Sequence, residues 1–459
     1  MRGYSIRLVA PMWLAACLAL GGSSAGGLLV NLFLQLGSLV LIGISLASRA
    51  GTVPDLAGKK APAIFLSICG VLLLASLVPL PPQIWSRLPG REHIVSGYLM
   101  TPSRLPWLPL SLSPGATIAS ALWALPGIAM LLTIIRLRAF DERWLAWTIV
   151  SAAGIGVILG ALQLGDGASS SFYFYDITNI GAAVGTFANA NHFATLLVST
   201  IAFLTALYAS GRDRDCSKQA ASAQPVILAG ALLVVAVGLV LVNSLAGLGL
   251  AMPVAAASYL MVSKRPFLRR YAPAFIALLS ALSIAFVMSS PFGNNLTAAD
   301  AISSQYSRYT FYVHTIKLIA RAFPIGTGLG TFPEIYSTIE NPLDVSTTFI
   351  NHAHNDYLEL VLEWGMPGLL IILSFLIWWA LRARTLWTST TATHFELAAT
   401  IASGAILIHS AVDYPLRTAG IQALFAACCG LMAGHRPLGR AGRRRDRSMA
   451  PKARHLYAD

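Results

Sequence analysis

The sequence predicts an all-α fold: a polytopic membrane helix bundle of about twelve transmembrane helices, with a large outer loop that contains an amphipathic helix. Three observations carry this reading. Of 459 residues, 56% are hydrophobic and only 11% charged, whereas soluble domains average about 25% charged residues. The apolar residues gather into runs close to the ~20 that a spanning helix needs. Positive charge, finally, falls on alternate sides of those runs. A mean hydropathy of +0.67 excludes a water-soluble globular protein, and the runs leave no length for a large soluble domain.

Twelve runs are assigned on length and composition, at residues 6–22, 27–47, 62–80, 114–135, 144–164, 192–210, 225–243, 246–263, 272–290, 356–380, 396–412 and 418–434. With the N-terminus in the cytoplasm, 25 of the 32 Lys and Arg fall in the two termini and the inner loops near 48–61, 136–143, 211–224, 264–271 and 381–395. The outer side keeps Arg87, Arg91, Arg104, Arg308, Lys317, Arg321 and Arg417, so the positive-inside rule holds loop by loop. The net charge of +13 is therefore a topological signal. The basic tail from Arg436 to Arg454 is expected to meet anionic membrane lipid, with no nucleic-acid partner. Reporter fusions at Ser217 and Asp344 should report opposite sides; the same side for both would remove the twelve-span arrangement.

Arg2 and Arg7 before a short apolar run resemble a signal peptide, and Leu14 to Cys17 a lipoprotein cleavage box; the run is read as an uncleaved first span. Cys17, Cys69, Cys428 and Cys429 sit in apolar runs and Cys216 in a polar loop, so no extracytoplasmic disulfide is expected.

Outside lie three segments long enough to build a site, Pro81–Ser113, Gly165–Asn191 and Pro291–Asn355. The acidic residues point there as well. Only Glu359 and Glu363 enter a span, within its first two turns from the outer side. Ion-coupled transporters place ionisable groups near the bilayer midplane, so the pattern favours a surface site over a lipid or glycan transporter. His93, His192, His314, His352, His354 and His409 are all outer by this topology.

Ser304 to Arg321 reads as an amphipathic helix in which Tyr306, Tyr309, Tyr312, Val313, Ile316, Ile319 and Ala320 form the arc expected to be buried. Ser304, Ser307, Arg308, His314, Thr315 and Arg321 form the wet arc, interrupted by Phe311 and Leu318. The PIGTGLGTF stretch that follows has no strand before it, so it is read as a loop turn ahead of a phosphate cradle.

The most informative string is Asn351 to Leu370, NHAHNDYLELVLEWGMPGLL. Asn355, Glu359 and Glu363 follow at four-residue intervals on one helix face. Two carboxylates there are costly unless they meet a polar cavity or hydrogen-bond partners. Gly365 and Gly368 are expected to admit a neighbouring helix closely. A His352 and His354 pair also suits a metal, but no third ligand accompanies it in sequence.

This string resembles the signature of the O-antigen ligase and polymerase superfamily of membrane glycosyltransferases: His354 and Asn355, nine residues, then Gly365, two residues and Gly368. Gly185 to Ala194 is similar to that family's Gly-x-Phe-x-Asn-x-Asn segment, Ser307 to Phe332 to its Arg-led outer helix and glycine turn, and His409 to Thr418 to its C-terminal hairpin. The chain then divides into N-terminal helices 1–184, a ligase-like core 185–434 with the outer loop 291–355, and a basic tail 435–459. One departure stands out: where relatives often carry Ser-Arg-x-Gly, this chain has Ser244, Leu245, Ala246 and Gly247.

The resemblance implies transfer of a glycan from an undecaprenyl-diphosphate donor to an acceptor hydroxyl, with inversion and without cofactor or metal, at the outer face of the bacterial inner membrane. The acceptor is lipid A core, a glycan or a protein in a ligase, and another lipid-linked repeat in a polymerase; the complete histidine signature favours ligase. His354 is expected to activate the acceptor, with Asn355 and Glu363 orienting either His354 or the acceptor. Arg308 is expected at the diphosphate, partnered by Arg321 or Arg417, and the substrate contacts extend to His314, His352, Asn189 and Asn191. Arg417 has a second reading, as a structural pair with Asp413 four residues earlier.

Overall fold

The computed structural model describes residues 6–48, 57–212, 218–263, 308–340 and 350–434, with positions 282 and 285. The chain forms a helical bundle. Its helices are α1 Val9–Leu20, α2 Leu29–Ala47, α3 Ala57–Leu77, α4 Pro82–Trp85, α5 Glu92–Leu99, α6 Pro114–Leu132, α7 Glu142–Asp166, α8 Ala190–Arg212, α9 Lys218–Val242, α10 Leu245–Val262, α11 Arg308–Ala322, α12 Phe332–Tyr336, α13 Asp356–Thr388, α14 His394–His409 and α15 Ala419–Gly434. Among the described residues the single sheet is a two-residue antiparallel ladder, Pro79–Leu80 against Leu108–Pro109. The expected span at 272–290, the tail and the first residues of the amphipathic helix lie outside the described residues.

Eleven of the twelve expected spans coincide with a described helix. Eight helices are long and apolar enough to cross a membrane, and α1, α14 and α15 are shorter. At about 1.5 Å per residue, the 16 residues of α14 and of α15 reach only about 24 Å, less than the ~30 Å hydrocarbon core. Both are buried along most of their length against other helices, so neither needs to match the bilayer alone. The 410–418 hairpin that joins them carries Asp413 and Arg417, and Asp413 is fully buried.

The centre of the bundle is α8. In its span 89% of residues are buried, against 11% for α3, which fixes α3 at the lipid-facing periphery. Around α8 pack α7, α9, α10 and α14. Closing the bundle from the other side, α1 buries Ala10, Leu14 and Cys17 between α7 and α15, and the Gly420 amide bonds the Gly21 carbonyl across the join.

The outer helix forms where expected but turns the other way. Phe311, Thr315, Leu318 and Ala322 are its buried stripe, while Tyr309 and Ile316 are more than half exposed. The residues read as interruptions of the wet arc are thus the anchor. Tertiary partners decide this, because Phe311 and Leu318 join Phe332, Tyr336 and Leu362 in a small apolar cluster above the bundle. A helical-wheel count weighs residue types and cannot see which side meets protein.

Candidate functional site

The candidate side chains converge at one end of the bundle from chain segments far apart in sequence: the start of α8, the start of α10, the start of α11, the entry to α13 and the 410–418 hairpin. The start of α11 lies in the long loop before α13 and the others are span ends, and the charge pattern assigns all of them to the outer side. The N-terminus of α13 makes the join. Asn355 caps it, accepting from the Tyr357 and Leu358 amides at 3.0 Å, and its Nδ2 donates to the Ala411 carbonyl at 2.8 Å. The Asp356 amide donates to the Ser410 carbonyl at 2.9 Å. Asn355 is therefore a bolt between α13 and the hairpin.

His354 stands just before this cap with a φ of +50°, a left-handed conformation costing on the order of 1 kcal/mol for a side chain of this kind. The turn is tied by the Tyr312 hydroxyl, which donates to the His354 carbonyl at 3.0 Å. The imidazole lies parallel to Phe311 with centroids 5.4 Å apart and edge-on to Tyr414 at 4.8 Å. Its Nδ1 is 3.4 Å from Asp413 Oδ1, so the opposite ring nitrogen, Nε2, is the one turned away from that carboxylate.

Asp413 is the hub. Oδ2 accepts from Asn191 Nδ2 at 2.6 Å and lies 3.5 Å from Arg308 Nη2, while Oδ1 accepts from the Tyr414 amide at 2.9 Å. Burial pushes its carboxyl upward, but contact with His354 and the charge of Arg308 outweigh this and hold it well below the usual carboxylate range. It stays ionised wherever a histidine titrates. Asn191 in turn accepts from Ser244 Oγ at 2.7 Å, and Ser244 caps α10 by accepting from the Gly247 amide. The position of the missing arginine, Leu245, follows Ser244, from which a chain of contacts runs through Asn191 and Asp413 to Arg308.

Arg417 does not pair with Asp413. Its guanidinium reaches Glu363 at 3.2 Å, Glu359 at 3.4 Å and Asp356 at 3.6 Å. Burial disfavours its charge, yet Glu359, Glu363 and Asp356 more than offset this and raise its pKa. Glu363 is 1% exposed and is also held by the Gly330 amide at 2.7 Å. Glu363 orients Arg417 and the glycine loop, and does not touch His354 among the described contacts.

The glycine-rich loop meets α13 at a break. Gly365 has φ +57° and ψ −135°, interrupting the helix, and the Thr327 and Gly328 amides donate to the Leu362 and Glu363 carbonyls at 3.1 and 2.8 Å. It is this loop, rather than a neighbouring helix, that Gly365 admits: a Cβ there would stand 2.2 Å from the Pro324 carbonyl oxygen. At Gly368 the close neighbours are Leu360 and Trp364 of the same helix. The Thr327, Gly328 and Gly330 amides are spent on α13 and those of Ile325 and Gly326 on the Ala322 carbonyl, so the loop-turn reading stands ahead of a phosphate cradle. Gly365→Ala should lower stability by on the order of 2 kcal/mol or more through backbone strain and collision, read as a fall in unfolding temperature in detergent.

Other expected residues are placed less centrally. His314 Nδ1 is 3.2 Å from the Tyr336 hydroxyl, one side chain removed from His354; burial and then Lys317 lower its pKa. Asn189 Nδ2 reaches the Tyr414 hydroxyl at 3.4 Å. Arg321 is exposed at the far end of α11, roughly 20 Å along the axis from Arg308. His192 and His409 are buried beneath the hub, against Tyr414 and Thr195. Asp413 as the partner of His354, and Tyr414 as its support, were not assigned from sequence; a buried acid in a nine-residue hairpin between apolar spans is the signal that points to them.

The fold and this one-sided polar cluster define a polytopic helical membrane protein with a site at one end of the bundle. Residues 228–373 match the family model described as O-antigen ligase, which supports the O-antigen ligase and polymerase superfamily and indicates an enzyme of that general type. The match includes Arg308, His354 and Glu363, and stops before Asp413 and Arg417. No curated protein is significantly similar to the chain.

Proposed function

We propose that the protein transfers a glycan from an undecaprenyl-diphosphate-linked donor to an acceptor hydroxyl at the outer face of the bacterial inner membrane, as an O-antigen ligase-like, metal-independent, inverting glycosyltransferase. The observation that carries the proposal is the His354, Asp413 and Arg308 constellation within and beside the matched segment.

Asp413 fixes Nδ1 of His354, leaving Nε2 to take the proton of the acceptor hydroxyl as it attacks the anomeric carbon. The C–O bond to the diphosphate breaks on the opposite face, and Arg308 meets the charge that develops on the leaving oxygens. Asn355, Glu363 and Arg417 act one layer back, fixing the α13 entry. The acceptor is lipid A core, a glycan or a protein. A deletion strain tests the reading through its surface glycan: loss of attachment supports a ligase, shortened chains with attachment retained assign a polymerase, and an unchanged glycan profile removes both.

A further inference from the structure

His352 repeats the arrangement of His354: a ring against Tyr414 and a carboxylate at Nδ1. Its Nδ1 is 2.8 Å from Glu359 Oε1, and its ring lies 4.4 Å from the Tyr414 centroid, against 4.8 Å for His354. Glu359 is 1% exposed and its second oxygen accepts from the Ala353 amide at 2.9 Å. Two imidazole–carboxylate pairs therefore rest on one phenol ring, with side chains 14% and 24% exposed.

The supply of cations gives the second pair a task. A diphosphate carries at least two negative charges. Arg417 is committed to three carboxylates, Arg91 is buried with its guanidinium on the Leu110 carbonyl, Arg87 and Arg104 are exposed in the segment before α6, and Lys317 and Arg321 are exposed farther along α11. The outer segments 291–307 and 341–349 contain no Lys or Arg, and position 245 is leucine. Arg308 alone of these arginines stands at the hub, and it shares its charge with Asp413.

We infer that His352, whose Nδ1 is held by Glu359, is the second protein contact to the donor's diphosphate. The inference rests on the function proposed above. In the transfer step the acceptor oxygen bonds to the anomeric carbon, its proton goes to His354 Nε2, and the C–O bond to phosphorus-bound oxygen breaks with its electron pair on the diphosphate. His352 donates a hydrogen bond from Nε2 to the departing diphosphate and undergoes no net proton change. The two histidines thus divide the work: His354 faces the acceptor and His352 the leaving group.

The test uses the full-length protein in proteoliposomes, with binding of inorganic pyrophosphate read separately from glycan transfer. His352→Gln should weaken pyrophosphate binding about tenfold and slow transfer about tenfold to a hundredfold, at or below the usual loss for one oxyanion contact because the ring is part-exposed. Leu245→Arg added to His352→Gln should restore most of both, since residue 245 follows Ser244, which reaches Asp413 through Asn191. Leu245→Arg should not rescue His354→Gln. A His352→Gln protein that binds pyrophosphate as tightly as wild type, or whose lost binding Leu245→Arg does not restore, overturns the assignment. Pyrophosphate binding through His352 in a protein that transfers no glycan would support the contact and count against the function.

Discussion

His354→Ala should lower glycan transfer by about 10²- to 10⁴-fold, the usual contribution of a positioned general base, while the protein still folds and inserts. The ring is part-exposed and its neighbours Phe311 and Tyr414 have other partners, so little stability is at stake. His352→Ala should cost less, because removing a leaving-group contact leaves the proton acceptor in place. A chelator should leave the wild-type rate unchanged. The measurement is transfer by purified protein in proteoliposomes, with size-exclusion behaviour as the folding control. Full activity of His354→Ala would reduce the site to substrate positioning, and loss of wild-type activity on chelation would revive a metal at the His352 and His354 pair.

Arg417→Met should fail in a different way. It removes the one guanidinium that faces Asp356, Glu359 and Glu363, each 8% exposed or less. Breaking a buried ion pair by deleting one partner costs about 3–5 kcal/mol, a large share of the roughly 5–15 kcal/mol that holds a protein folded. The expected result is poor recovery and a much lower unfolding temperature, with activity lost as a consequence. Adding Glu359→Gln and Glu363→Gln removes two of the stranded charges and should recover part of the stability. If Arg417→Met instead folds as wild type and loses only transfer, Arg417 is a substrate contact and the cage is not what holds α13 to the hairpin.

Composition and apolar run length were enough to read the helical class and eleven of the described helices, because a lipid solvent imposes one local rule, about 20 apolar residues with every backbone group paired internally. The gathering of polar residues at one end of the bundle was legible as well, since the acidic residues and histidines of the spans fall at matching span ends. The entry to α13 was legible too: Asn355 before Asp356 is an N-cap signal, and the His354 string is local in sequence.

Partnerships were not legible. Sequence spacing suggested Asp413 with Arg417, four residues apart, but the hairpin between α14 and α15 is not a helix, so that interval does not bring them onto one face. Folding instead brings Asp413 to Arg308, His354 and Asn191, residues 105, 59 and 222 positions away. The outer helix likewise buries Phe311, Thr315 and Leu318 because α12 and α13 lie against that stripe. Local patterns in the chain were enough to mark which segments are helical, that the polar residues gather at one end of the bundle and which histidine opens α13. Which carboxylate each histidine and arginine meets was set by packing, because a buried charge settles on whichever partners the packed helices bring within about 4 Å, irrespective of chain distance.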